Sequence, residues 1–134
     1  MRFETKEEKE KFITITYKDN EKVCECQIDI DKDSNVWTIS SWYTMEGYKH
    51  KGYGTQTLQV CLCEINKKLG LPSKVEYIWN GANEYVFEWL NGHFGAVSKC
   101  PIAVQKYSFE DDWESHIYVL NKYKFIEYFS LKER

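Results

Sequence analysis

With 134 residues, 43% of them hydrophobic and 16% aromatic, the chain is long enough for one real core and too short for two comfortable ones, and its composition argues against disorder and for a well-packed globule. Lys and Arg number 18 against 21 Asp and Glu, and the net charge of −3 excludes a general attraction to nucleic acid or to an acidic membrane surface. Any anion site must therefore be local, within a single domain spanning 1–134 that shows no linker and no internal repeat.

The opening stretch, MRFETKEEKEKF, is charged where a secretion signal needs an apolar run, and no apolar segment approaches membrane-spanning length. A cytoplasmic location is expected. Phe12-Ile13-Thr14-Ile15-Thr16-Tyr17 reads as the first clear strand, Lys18-Asp19-Asn20-Glu21 as a turn, and Val23 to Ile30 as a second strand. Asp31-Lys32-Asp33-Ser34-Asn35 makes another polar turn before Val36 to Thr44, a third strand rich in β-branched and aromatic residues. The chain thus opens as an antiparallel meander.

Next comes Lys49-His50-Lys51-Gly52-Tyr53-Gly54-Thr55, a glycine loop between a strand and a helix. Two glycines two apart allow a tight turn and unobstructed N–H groups, and the helix that follows offers its free amides and positive dipole end to an anion. The ligand this suggests is phosphorylated. Lys49 and Lys51 add local positive charge, although exposed lysines are most often simply solvated.

From Thr55 the period changes. Leu58, Cys61, Leu62, Ile65 and Leu69 form one apolar helical stripe, ended by Gly70 and Pro72. Val75 to Trp79 is the next strand, and a second helix capped near Asn83 runs to about Asn91, with Val86, Trp89 and Leu90 on one face. Short strands at Ala96 to Lys99, Ile102 to Tyr107 and His116 to Leu120, and a closing helix from Lys124 to Leu131, complete the pattern.

Five cysteines, an odd number without the spacing of a secreted disulfide scaffold, are expected to be reduced. Cys24-Glu25-Cys26 and Cys61-Leu62-Cys63 invite a zinc reading, but residues two apart on a helix point to different faces, so no metal is expected. Cys100 has no His or Asp at a partner spacing and reads as a buried thiol rather than a nucleophile.

Three antiparallel strands, a glycine loop, a helix, a strand, a second helix and further strands resemble the Gcn5-related N-acetyltransferase (GNAT) superfamily over roughly Phe12 to Lys99. The family's loop reads Gln or Arg, two residues, Gly, one residue, then Gly or Ala. Lys49 to Gly54 matches at both glycines and departs at Lys49. The resemblance implies an α/β (α+β) acyl-CoA N-acyltransferase-like fold, a mixed and mostly antiparallel sheet flanked by helices. It also implies acetyl-CoA as acyl donor and an amine as acceptor.

Carried over by position, the resemblance assigns the pyrophosphate to Lys49, His50, Lys51, Gly52, Tyr53, Gly54 and Thr55. It assigns the pantetheine arm to Trp42, Tyr43 and Thr44, with the backbone at Tyr43 and Thr44 stabilising the oxyanion, and the family's second-signature Asn to Asn80. Asn83 is the alternative bearer of that Asn role if the register is shifted. Phe87 then stands where many members carry the Tyr that protonates the leaving thiolate.

The catalytic acid and base are consequently open. Tyr85 lies nearby but about 200° round the helix, where packing is expected, and Glu46, His50 and His116 read as exposed surface unless recruited to the site. The family also opens with a strand and two helices that wall the acceptor side, whereas about eleven residues precede the first clear strand here. That implies an open acceptor side suited to a large substrate, or one completed by a partner chain or by the long C-terminal segment. The alternative is a non-catalytic coenzyme-A-binding or interaction module, and the aromatic content serves a homodimer interface as readily as a core.

Overall fold

The computed structural model describes residues 1–79, 84–98 and 116–133. Strands β1 (Arg2–Glu8), β2 (Lys11–Lys18), β3 (Glu21–Asp31), β4 (Val36–Thr44), β5 (Lys74–Ile78), β6 (Ala96–Ser98) and β7 (Ile117–Leu120) form one sheet in the order β1-β2-β3-β4-β5-β7-β6. Only the β4–β5 pair is parallel; the other neighbours are antiparallel. The helices are α1 (Tyr53–Leu69), α2 (Glu84–Phe94) and α3 (Lys122–Tyr128). None among the described residues is long and apolar enough to cross a membrane.

The turn between β2 and β3 uses Asp19 and Asn20 with φ of 51° and 65°, a left-handed pair whose twist matches the flanking strands. The charged N-terminal stretch, expected only to lead into the first strand, is itself a strand. Its seven residues pair with β2 in register from Arg2↔Tyr17 to Glu8↔Lys11, and Lys9 and Glu10 are the whole connection. Phe3 and Thr5 turn half-buried towards the helices, and Thr5 Oγ1 lies 2.8 Å from Thr14 Oγ1. The alternate positions Arg2, Glu4, Lys6 and Glu8 are all charged and exposed, which hides the period of two behind a run of charge. A two-residue turn thus joins this strand directly to β2.

Strand alternation sorts the sheet into two faces. Phe12, Ile28, Trp37, Ile39 and Val75 point to one of them, where Leu58, Cys61, Leu62 and Ile65 of α1, Leu90 and Phe94 of α2, and Phe125 and Phe129 join the same buried cluster. On the other face Ile13, Ile15, Glu25, Gln27, Asp29 and Thr38 are half-buried, and no described helix covers them.

Element boundaries shift modestly from expectation. Helix α1 begins at Tyr53, α2 extends to Phe94, and α3 starts at Lys122 because the Asn121 side chain accepts from the amides of Tyr123 and Lys124 at 3.1 Å each. The strand expected at 102–107, together with Asn80, Asn83 and Cys100, lies outside the described residues.

Asn35 ties the far end of this arrangement together. It sits at φ 54°, its Nδ2 donates to the carbonyls of Leu69 (3.2 Å) and Leu71 (2.8 Å), and its Oδ1 accepts from the buried Trp37 indole at 2.8 Å. Asn35→Ala removes all three bonds and strands the indole N–H, so an unfolding titration should show a loss of about 2–4 kcal/mol. Asn35→Gly, free of the left-handed strain, should lose about 1 kcal/mol less.

Candidate functional site

The parallel pairing of β4 with β5 runs only from Val36↔Lys74 to Ile39↔Tyr77. Beyond Ile39 the two strands part, and among the described residues the second half of β4 has no neighbour on that side. A bulge stands at the parting point: Ile28 pairs with Ile39 and Gln27 with Ser41, leaving Ser40 as the extra residue. Ser40 Oγ bonds Asp29 Oδ1 at 3.1 Å, which holds the bulge against β3. The extra residue changes which side chains face the helices, from Trp37 and Ile39 before it to Trp42 and Thr44 after it.

The main chain of this free half is directional. Met45 N–H donates to Val23 O at 2.8 Å, so by strand alternation the Tyr43 amide also turns to β3, whereas Trp42 and Thr44 present theirs to the gap.

A cavity of about 370 Å³ opens beside this strand end, lined by Trp42, Tyr43, Thr44, Lys49, His50, Gly52, Gly54, Thr55, Tyr85, Val86 and Trp89. The start of α1 forms one wall. Gly52 is its cap residue at φ 87°, no side chain caps the helix, and its first turn holds no acidic residue. Among the described residues no acceptor takes the amides of Tyr53, Gly54 or Thr55. Uncapped amides at a helix start without nearby carboxylates suit a phosphate, so the cradle fits a phosphorylated ligand.

Helix α1 is held close to β4 at this point. Trp42 Nε1 donates to Gly54 O at 2.9 Å, and a β-carbon built on Gly54 would meet Thr44 Oγ1 at 3.4 Å and Trp42 Nε1 at 3.5 Å. Behind the loop, Thr57 Oγ1 bonds both Thr16 Oγ1 (2.6 Å) and Tyr53 O (2.7 Å). On the outer wall, Lys22 donates to Tyr43 OH at 2.6 Å and to Glu25 Oε1 at 3.0 Å, and these two acceptors hold its pKa above the ordinary lysine value.

Eight of the sequence-expected binding residues therefore share one cavity. Lys51 is exposed and away from the lining, and Tyr53 turns back to Tyr48, at 5.9 Å between ring centres, and to Lys18. Tyr85, expected to pack, is instead 60% exposed on the cavity wall, its ring edge-on to His50 at 5.1 Å. Glu46 is solvated beside Lys49, 3.3 Å away, and does not line the cavity. His116, expected on the surface, is 1% exposed because it closes into the interior just ahead of β7, its carbonyl accepting from Trp79 N–H.

Phe87 stacks on Trp79 at 4.3 Å and meets the edge of Tyr118 at 4.9 Å, away from the cavity lining. Tyr77, on the last rung before the strands part, has its phenol pushed up to about 12 by burial. Sequence reasoning missed Val86 and Trp89 as lining residues, since their helical stripe reads as core. Trp89 faces both ways, meeting Trp42 at 5.6 Å and Phe94 at 5.7 Å.

No protein-family model matches the chain, and no curated protein does. Solved structures do. The PaiA N-acetyltransferase of Thermoplasma acidophilum, in complex with coenzyme A, is 14% identical with a TM-score of 0.59, over 83% of this chain and 59% of that one. Tetrahymena GCN5 is 9% identical with a TM-score of 0.56, over 85% and 70% of the two chains. The N-acetylglutamate synthase of Neisseria gonorrhoeae, complexed with coenzyme A and N-acetyl-glutamate, is 17% identical with a TM-score of 0.56, over 81% of this chain and 25% of that one. This chain thus spans less than two thirds of the PaiA chain. The shared architecture is the GNAT, or acyl-CoA N-acyltransferase, fold.

Two glycines of the loop should respond differently. Gly52→Ala places a β-carbon on a left-handed residue and should lower stability by about 1 kcal/mol in thermal or urea unfolding. Gly54→Ala should fold normally, because its new carbon makes ordinary contacts, whereas Gly54→Leu reaches Trp42 and should lose about 1–3 kcal/mol.

Proposed function

We propose that this chain binds acetyl-CoA in the fork between β4 and β5 and transfers its acetyl group to an amine. The observation that carries the reading is the coincidence of three features in one cavity: a strand end stripped of its neighbour, an uncapped helix start, and a glycine loop between them. Amides from Gly52 to Thr55 would hold the pyrophosphate, with Lys49 adding positive charge and His50 an imidazole N–H. The gap-facing amides of Trp42 and Thr44 would hold the pantetheine arm and polarise the thioester carbonyl.

In the transfer, the acceptor nitrogen attacks that carbonyl, the C–S bond breaks, and the nitrogen loses a proton while the thiolate gains one. Tyr85 supports the second proton movement better than Glu46, which is solvated, or His116, which is buried away from the lining. The sheet face that no described helix covers and the two-residue Lys9-Glu10 connection, where the family has two helices, favour a large acceptor such as a protein amine.

One observation favours a second reading, a coenzyme-A-binding module without turnover: Phe87 is stacked between Trp79 and Tyr118 and carries no proton to donate. Calorimetric titration with coenzyme A and acetyl-CoA, run beside acetyl transfer to amine and peptide panels, separates the two. Binding with turnover supports the transferase, binding without turnover the module, and absence of both excludes each. In an active enzyme, Tyr85→Phe should lower kcat by at least about tenfold and leave coenzyme A affinity unchanged.

A further inference from the structure

We infer that β1 is a self-pairing edge and that two copies of this chain join through it, antiparallel and centred on Thr5, into one continuous sheet. The proposal is independent of the chemistry assigned to the cavity.

The backbone supplies the first half of the case. Ile30 N–H donates to Glu10 O, so Glu10 faces β3, and by alternation Lys11, Ile13, Ile15 and Tyr17 turn their backbone groups to β1. Their β1 partners are Glu8, Lys6, Glu4 and Arg2. The remaining residues, Phe3, Thr5 and Glu7, therefore direct N–H and C=O outward, where no described strand pairs with them. Pairing two copies about Thr5 sets Thr5 against Thr5 and Phe3 against Glu7, and every outward donor and acceptor of these residues finds a partner.

The charges supply the second half, because they select the register. Arg2, Glu4, Lys6 and Glu8 alternate in sign on one face, with Arg2 bonded to Glu4 and Lys6 3.1 Å from Glu8. Centred on Thr5, Arg2 meets Glu8 of the second copy and Glu4 meets its Lys6, in the positions where facing side chains come closest. A shift of two residues either way brings Glu4 onto Glu4 with Arg2 onto Lys6, or Lys6 onto Lys6 with Glu4 onto Glu8. Both alternatives are repulsive. On the helix side, Glu7 brings no bare charge to the seam, since Lys68 (2.7 Å) and Lys32 (3.1 Å) already hold its carboxylate. A charged edge usually deters pairing in general, but this pattern admits one partner in one register. The two-fold axis also closes the assembly, so it does not propagate.

Analytical ultracentrifugation across a concentration series tests this on the intact chain. The wild-type chain should dimerise reversibly, and more weakly as salt rises. Glu4→Lys and Lys6→Glu should each raise the dimer dissociation constant by at least about tenfold, and the double variant E4K/K6E, which restores opposite charges across the axis, should recover it. Thr5→Pro removes an outward N–H and the hydroxyl contact with Thr14 but no bond of the β1–β2 ladder, and should abolish the dimer with an unchanged circular dichroism spectrum. If that variant misfolds, the charge-reversal set still decides, because those side chains are exposed. A chain that is monomeric throughout, a dimer indifferent to Glu4→Lys and Lys6→Glu, or a double variant that fails to restore association would each overturn the proposal.

Discussion

The structure depends on where β4 loses its neighbour. Four rungs of parallel pairing, from Val36 to Ile39, anchor β4 to β5, and the bulge at Ser40 then re-aims the rest of the strand. A strand bonded on both sides has no free backbone groups to offer a ligand, so pairing along its full length would remove the site. Parting the strands exposes polar main chain inside a domain otherwise closed over an apolar core, and such groups require partners. The cavity beside Trp42, Tyr43 and Thr44 is where a ligand would supply them.

The second requirement is that α1 begin close to that strand end. The indole of Trp42 bonds the Gly54 carbonyl, and Thr44 and Trp42 leave room at Gly54 for no more than a small side chain. Gly52 serves a different purpose, since the chain enters the helix there in a left-handed conformation that costs other residues about 1 kcal/mol or more. The two glycines of the loop thus act separately: Gly54 marks a space that admits a β-carbon but no large side chain, and Gly52 supplies the left-handed conformation. The burial of Leu58, Leu62 and Ile65 behind them fixes the helix without help from the loop.

One face of the sheet carries all the described helices and the other carries none, with Ser40 joined to Asp29 and to Gln27 on the uncovered side. Among the described residues, the connection at Lys9-Glu10 returns the chain at once into β2 and places no helix on that face. The polar strand residues of that face, Gln27, Asp29 and Thr38, are half-buried.

Much of this was legible in the residues. The meander from Phe12 to Thr44, the stripe of α1 and the glycine loop are local patterns, set by side-chain alternation, helical period and turn chemistry acting over neighbouring residues. Eight residues expected at the binding site do line one cavity, because the loop and the strand end that carry them are consecutive in the chain. Tertiary packing decided the rest. Arg2 to Glu8 became a strand through pairing with β2 despite its charge, Tyr85 was turned out to the cavity rather than into the core, and His116 was drawn inside. Val86 and Trp89 line the cavity because packing brings α2 against Trp42, and no local pattern marks which side of an apolar stripe will meet a cavity. Sequence alone determined which segments could be strand, helix or anion cradle; the three-dimensional fold determined which strands stay paired, and with that where the cavity opens.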